Sequence, residues 1–124
     1  MKLQKLVYYS QAWSLVWDGQ PLFDDEIQAW ANGPVAPLLY RGHRGLSLIA
    51  TVAGDADAVA NDKAQRETIC AVLDYYGDKS PQWLSDLTHA ESPWRDARGE
   101  LPAGASSNRV ISHDAMVAYY SRLA

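Results

Sequence analysis

The stretch from Lys2 to Trp17 limits the fold more than any other part of the chain. Wound at about 100° per residue, Leu3, Leu6, Val7, Tyr9, Trp13, Val16 and Trp17 cover more than half of the helix circumference. A surface helix needs only one apolar stripe, whereas a helix apolar nearly all round has to be enclosed by the rest of the chain. The expected fold is therefore mainly α: a single compact domain of five or six helices around a central N-terminal helix, with at most a small two- or three-stranded β element. The 124 residues form one such domain, 1–124, being enough for one core and too few for two.

Asp18-Gly19-Gln20-Pro21 breaks the first helix, and the next constraint is the run from Asp24 to Tyr40. Its pattern predicts a helix, a sharp corner and another helix. Asp24, Asp25 and Glu26 read as first-turn acids that complement the helix dipole, in preference to an acid–base pair or a metal site. Asn32-Gly33-Pro34 forms the corner: Gly33 can take the positive φ found just past a helix end, and Pro34 and Pro37 suit the first turn of a new helix. Val35, Leu38 and Leu39 would be its apolar face. Arg41 to Gly45 reads as a loop, its Arg41, His43 and Arg44 a small solvated cluster; Leu46 to Val52 alternates like a short strand, and Gly54 to Asn61 reads as an exposed loop.

A helix capped by Asn61 or Asp62 is predicted to run to Tyr76, with Ile69, Val72, Leu73 and Tyr76 as its buried stripe, Cys70 as a small core residue and Gly77 as its stop. Ser80-Pro81 and Ser92-Pro93 each place a capping serine before a proline, so two further helices are expected, with Trp83, Leu84 and Leu87 on the buried side of the first and Trp94 opening the second. Glu100 to Asn108 reads as a flexible loop. Val110-Ile111 is expected to pair with Leu48-Ile49, and Ser112 to cap a last helix with the stripe Met116, Tyr119, Tyr120 and Leu123.

No apolar run approaches the roughly 18 residues of a membrane span. The start, Met-Lys-Leu-Gln-Lys, lacks the apolar region of a signal peptide, and a single cysteine, Cys70, suits a reducing cytoplasm. A net charge of −4 disfavours a nucleic-acid surface. Catalytic signals are weak. His89 and Glu91 are ligand types two residues apart, yet no second pair completes a tetrahedral metal site, His43 and His113 stand alone, and no glycine-rich loop carries a phosphate-binding lysine. His89 is more simply read as tying one helix end to the next through a hydrogen bond. The residues point to a non-enzyme without metal or cofactor, a small hydrolase using His89 and Glu91 being the weaker alternative. Five tryptophans and seven tyrosines exceed what a core of this size needs, and such rings carry binding energy at protein interfaces. Trp13 and Trp17 are assigned to the core, and Trp30 and Trp94, beside the proline corners, to positions at or near a surface.

Four blocks carry a resemblance: Lys2-Leu3-Gln4-Lys5-Leu6-Val7-Tyr8-Tyr9-Ser10-Gln11, Pro21-Leu22-Phe23, Ala29-Trp30-Ala31-Asn32-Gly33-Pro34-Val35 and Leu87-Thr88-His89-Ala90-Glu91-Ser92-Pro93-Trp94. In this order they resemble the Panacea domain family, which groups SocA-like antitoxins with GepA-like phage-associated proteins. The resemblance implies an antitoxin of a type II toxin–antitoxin system that neutralises a toxin, encoded by an adjacent gene, through direct protein–protein contact, on a scaffold paired with many unrelated toxins. It also implies, for some members, delivery of the toxin to a AAA+ protease. Relatives usually carry a further helix before the KLQKL block; if it is absent, the apolar surface of Leu3 to Trp17 would be open to a toxin or to a second copy in a homodimer. The partner-binding residues expected are Trp30, Val35, Tyr40, His89 and Trp94, held by Gly33, Pro34 and Pro93, with the loops at Gly54 to Asn61 and Glu100 to Asn108 as the competing surface.

Overall fold

The computed structural model of the chain describes residues 2–23, 26–31, 33–37, 63–102, 104–107 and 109–123. Helix α1 (Lys2–Trp17) is followed by strands β1 (Ile27–Trp30) and β2 (Gly33–Val35), helices α2 (Lys63–Tyr76), α3 (Pro81–Ala90) and α4 (Ser92–Arg98), strand β3 (Val110–Ile111) and helix α5 (His113–Tyr120). The chain is mainly α with a small antiparallel sheet, as its sequence predicts. The predicted features at Asp24 and Asp25, Leu38 and Leu39, Tyr40, Arg41 to Gly45, Leu46 to Val52, Gly54 to Asn61 and Asp62 lie outside the described residues.

Helix α1 is the centre of the core, and even its polar side chains are enclosed. Leu6, Val7, Tyr8, Tyr9, Ala12, Trp13 and Leu15 pack with Phe23, Ile27, Ile69, Val72, Tyr76, Leu84, Ile111, Met116 and Tyr120. Buried polar groups are as a rule hydrogen-bonded, and Gln4, Gln11 and Ser14 of α1 hold the neighbouring chain. Gln11 donates from Nε2 to the Phe23 carbonyl (2.9 Å) and accepts the Leu22 N–H at Oε1 (2.7 Å). Ser14 Oγ donates to the Gln20 carbonyl (2.7 Å), and Gln4 Oε1 accepts the Ala36 N–H (3.0 Å). At the end of the helix Trp17 departs from expectation: it stacks on Trp13, with centroids 4.9 Å apart, but is 50% exposed because it falls in the last turn.

The main correction concerns residues 26–37, where a hairpin replaces the predicted helix–corner–helix. Ile27 and Ala29 are buried, Gln28 is half-buried and Trp30 is exposed, the period-2 alternation of a strand with one face on a core. The register pairs Trp30 with Gly33, Ala29 with Pro34 and Gln28 with Val35. Pro34 is tolerated because it sits on an edge strand opposite Ala29, whose N–H turns the other way, to the Arg109 carbonyl at 2.8 Å. Gly33 does have positive φ, +128°, but for a different reason than a helix stop. A Cβ there would overlap Lys5 Cε and lie 2.6 Å from Lys5 Nζ and 3.2 Å from Thr88 Oγ1. Close approach of three segments demands the glycine.

The third strand completes the order β2-β1-β3, so Val110 and Ile111 pair with Gln28 and Ile27; the partners expected for them, Leu48 and Ile49, lie outside the described residues. The Ser80 cap is as predicted, its Oγ accepting the Trp83 N–H at 3.0 Å, and so is the Ser112 cap, which accepts the Ala115 N–H at 3.0 Å. The second serine–proline pair is shifted by one residue. Glu91, at φ −94° and ψ 141°, ends α3 and caps α4 through its backbone alone, leaving Ser92 and Pro93 inside the first turn. Cys70 is exposed, outside the stripe of Ile69, Val72 and Tyr76, and Leu123 lies exposed beyond the end of α5.

Candidate functional site

The hairpin, the α3–α4 junction and α1 meet, which brings the expected site residues into one region. Trp30 is 42% exposed on the outer face of the sheet. Its Nε1 donates to Gln28 Oε1 (2.8 Å), and Gln28 Nε2 donates in turn to Glu26 Oε1 (2.8 Å). Alternation places Gln28 and Trp30 on the same face, so the indole is held along the strand. Trp94, expected at or near a surface, is instead 8% exposed. Its Nε1 donates to the Trp30 carbonyl (2.9 Å), so it supports Trp30 from behind. The α4 start turns this ring inward because a buried indole needs both an apolar bed and an acceptor.

His89 stacks on Trp94 with centroids 4.1 Å apart and planes at 15°, so the two helix ends are joined by ring stacking. The Arg98 guanidinium lies 5.1 Å from the centroid of the same indole. Val35 and Pro93 are buried, and the register places Val35 opposite Gln28. Tyr40 lies outside the described residues. Of the expected set, then, Trp30, His89 and Trp94 form a connected unit, Gly33 and Pro34 shape the strand beside them, and Val35 is a packing residue.

The other half of the His89-Glu91 pair faces a different way. The Glu91 carboxylate is buried, and one oxygen, Oε1, accepts hydroxyls from both Tyr9 (2.7 Å) and Tyr120 (2.8 Å); Tyr120 also shares a 2.9 Å hydrogen bond with Tyr8. Tyr9 stacks flat on Tyr76 at 4.2 Å, and Trp13 Nε1 donates to the Tyr76 hydroxyl at 3.2 Å. Burial pushes the Glu91 carboxyl above the usual carboxylate range, an effect the two tyrosine hydroxyls partly oppose. Burial likewise raises Tyr8, Tyr9 and Tyr120, and moves Tyr76 to about 12. The arrangement bolts α1, α2, α5 and the α3–α4 junction together. Glu91 is thus tied to the tyrosine cluster, whereas His89 stacks on Trp94. Among the described residues, no three His, Cys, Asp or Glu side chains gather as metal ligands, and no helix is long and apolar enough to cross a membrane.

Sequence reasoning did not single out Lys5, Gln28 or Arg98, and took Val110 only as a strand residue. Arg98 ends a short helix beside Gly99, and Gln28 reads as helical in sequence; neither carries a local signal of its role.

A mainly helical domain whose buried first helix clasps a small hairpin, with an indole pinned on the outer strand and a glutamate–tyrosine bolt beneath, is the class that fold and site define. The chain belongs to the Antitoxin SocA-like, Panacea domain family, whose profile matches residues 3–95. It is similar to Antitoxin SocA of Caulobacter vibrioides (strain NA1000 / CB15N), with 32% identity over 106 residues, covering 76% of this chain and 56% of that protein. The chain thus spans little more than half the length of that relative. No solved structure matches.

Proposed function

We propose that this protein is an antitoxin that neutralises a cognate toxin, encoded by an adjacent gene, by direct protein–protein binding, in the manner of a type II toxin–antitoxin system. The observation that carries this reading is the family match across residues 3–95. Trp30 is the binding anchor: a large ring held by Gln28 and by the Trp94 support presents contact area at little entropic cost. Trp94 and His89 behind it set its position, and Val35 and Tyr40 complete the proposed partner-binding set. The net charge of −4 and the exposed carboxylate of Glu26 favour encounter with a basic toxin surface. The role is non-enzymatic, Glu91 being tied to the tyrosine cluster and His89 stacked on Trp94.

The test is co-expression with the neighbouring reading frame, scored by growth rescue, with affinity measured on the purified pair. Trp30→Ala, checked for native melting, is expected to weaken binding by about 2 kcal/mol or more, roughly 30-fold in Kd. Failure of the wild-type chain to rescue growth or to bind the neighbouring product would defeat the antitoxin reading. Wild-type affinity in folded Trp30→Ala would defeat the choice of anchor.

A further inference from the structure

Arg98 is buried near the end of α4, yet its guanidinium reaches three backbone carbonyls on two separate segments: Ala29 at 3.1 Å, Pro102 at 3.0 Å and Ala105 at 2.7 Å. The Arg98 carbonyl itself accepts from Arg109 Nη1 (2.9 Å), and the Arg109 carbonyl accepts the Ala29 N–H (2.8 Å). The bonds close a ring from Arg98 to Ala29, to Arg109 and back. Ala29 lies between Gln28 and Trp30, and both of its backbone groups are held by this ring. On the outer face of the sheet, Gln28 pairs with Val110, which is 49% exposed, so Trp30, Gln28 and Val110 form one continuous row. The residues leading into Val110 are those that Arg98 stitches down.

We propose that Arg98 is a positioning residue that fuses the outer sheet face and the segment containing Pro102, Ala105 and Ser106 into a single docking surface for the toxin. The proposal rests on the antitoxin reading. The occupant is a folded protein with an apolar recess for Trp30 and Val110 and a basic rim facing Glu26, in keeping with the chain's net charge of −4. Hairpin and loop, competing surfaces when the chain is read as a string, are then two parts of one surface. Arginine is required because its planar fork presents donors in several directions; a lysine ammonium keeps the charge but cannot span carbonyls on two segments.

The experiment uses the full chain and, as probe, the purified product of the adjacent reading frame. In Arg98→Lys, amide exchange at Ala29 and Ala105 is expected to accelerate at least tenfold while amides within α1 keep wild-type rates, and Kd for the probe to rise at least tenfold. Combining Arg98→Lys with Trp30→Ala is expected to cost less than the product of the single effects, because Arg98 acts partly through Trp30. A general loss of stability would not produce that coupling. Val110→Ser and Ser106→Arg change exposed side chains, carry little folding cost, and are each expected to raise Kd about fivefold, the arginine by opposing the partner's basic rim; they keep the test valid should Arg98→Lys not fold. Wild-type affinity in folded Arg98→Lys, or in both surface variants, overturns the composite surface while a weakened Trp30→Ala leaves the antitoxin reading standing. Absence of any binding by the wild-type chain overturns both.

Discussion

Replacing Lys5 by methionine should make the protein more stable, against the usual trend of core substitutions. Lys5 is 1% exposed, and among the described residues no acceptor satisfies its Nζ. It runs beneath Gly33 beside Thr88, whose hydroxyl already donates to the Ser85 carbonyl at 2.8 Å. Burial lowers its pKa from 10.5 to about 8. Each unit is equivalent to about 1.4 kcal/mol, so holding the charged form in the folded state costs about 3 kcal/mol at pH 7. The sign follows from proton binding. Between about 8 and 10.5 the unfolded chain keeps the proton and the folded chain loses it, so this contribution to stability rises with pH across that window and is flat below it. Methionine keeps the unbranched stem that fits under Gly33 and removes only the amine. Urea denaturation should show Lys5→Met more stable by about 3 kcal/mol at pH 7 and by about 1.5 kcal/mol at pH 9.5, with an unchanged m-value. A variant less stable than wild type at pH 7, or one with the same difference at both pH values, would refute the reasoning.

Gly33→Ala should cost more than the roughly 1–3 kcal/mol of backbone strain, because its Cβ also meets Lys5; adding Lys5→Ala should recover the steric part in a thermal melt and leave the strain. Glu91→Ala should lose about 3 kcal/mol or more by depriving two buried tyrosine hydroxyls of their acceptor, whereas Glu91→Gln should fold. Because the folded carboxyl titrates above 4.5, wild-type stability should fall relative to Glu91→Gln as pH rises from 4.5 towards neutrality, which denaturation at several pH values would reveal. Chelation with EDTA should leave the melting temperature unchanged, a shift of several degrees counting against a metal-free domain.

Much of this architecture is local enough to be read from the chain. The all-round apolar pattern of Lys2 to Trp17 announces an enclosed helix, and the serine–proline pair at Ser80 and the cap at Ser112 set helix starts through contacts within four residues. The positive φ of Gly33 was also legible, though its cause was not. Only the tertiary structure decided that Ile27–Trp30 and Gly33–Val35 are strands: Ile27-Gln28-Ala29-Trp30 is compatible with either period, and the pairing with Val110 and Ile111, more than 80 residues away, settles it. Arg98 is hidden for a different reason. Its role consists of reaching carbonyls of Ala29, Pro102 and Ala105, and backbone carbonyls leave no trace in side-chain identity. Trp94 and Trp17 exchanged their expected places for a related reason. An indole next to a proline corner looks exposed along the chain, but burial depends on what folds over it; Trp94 found the Trp30 carbonyl, and the last turn of α1 left Trp17 half in solvent. Residue type and local spacing determined the elements and their caps, and long-range packing determined which ring became the core and which the surface.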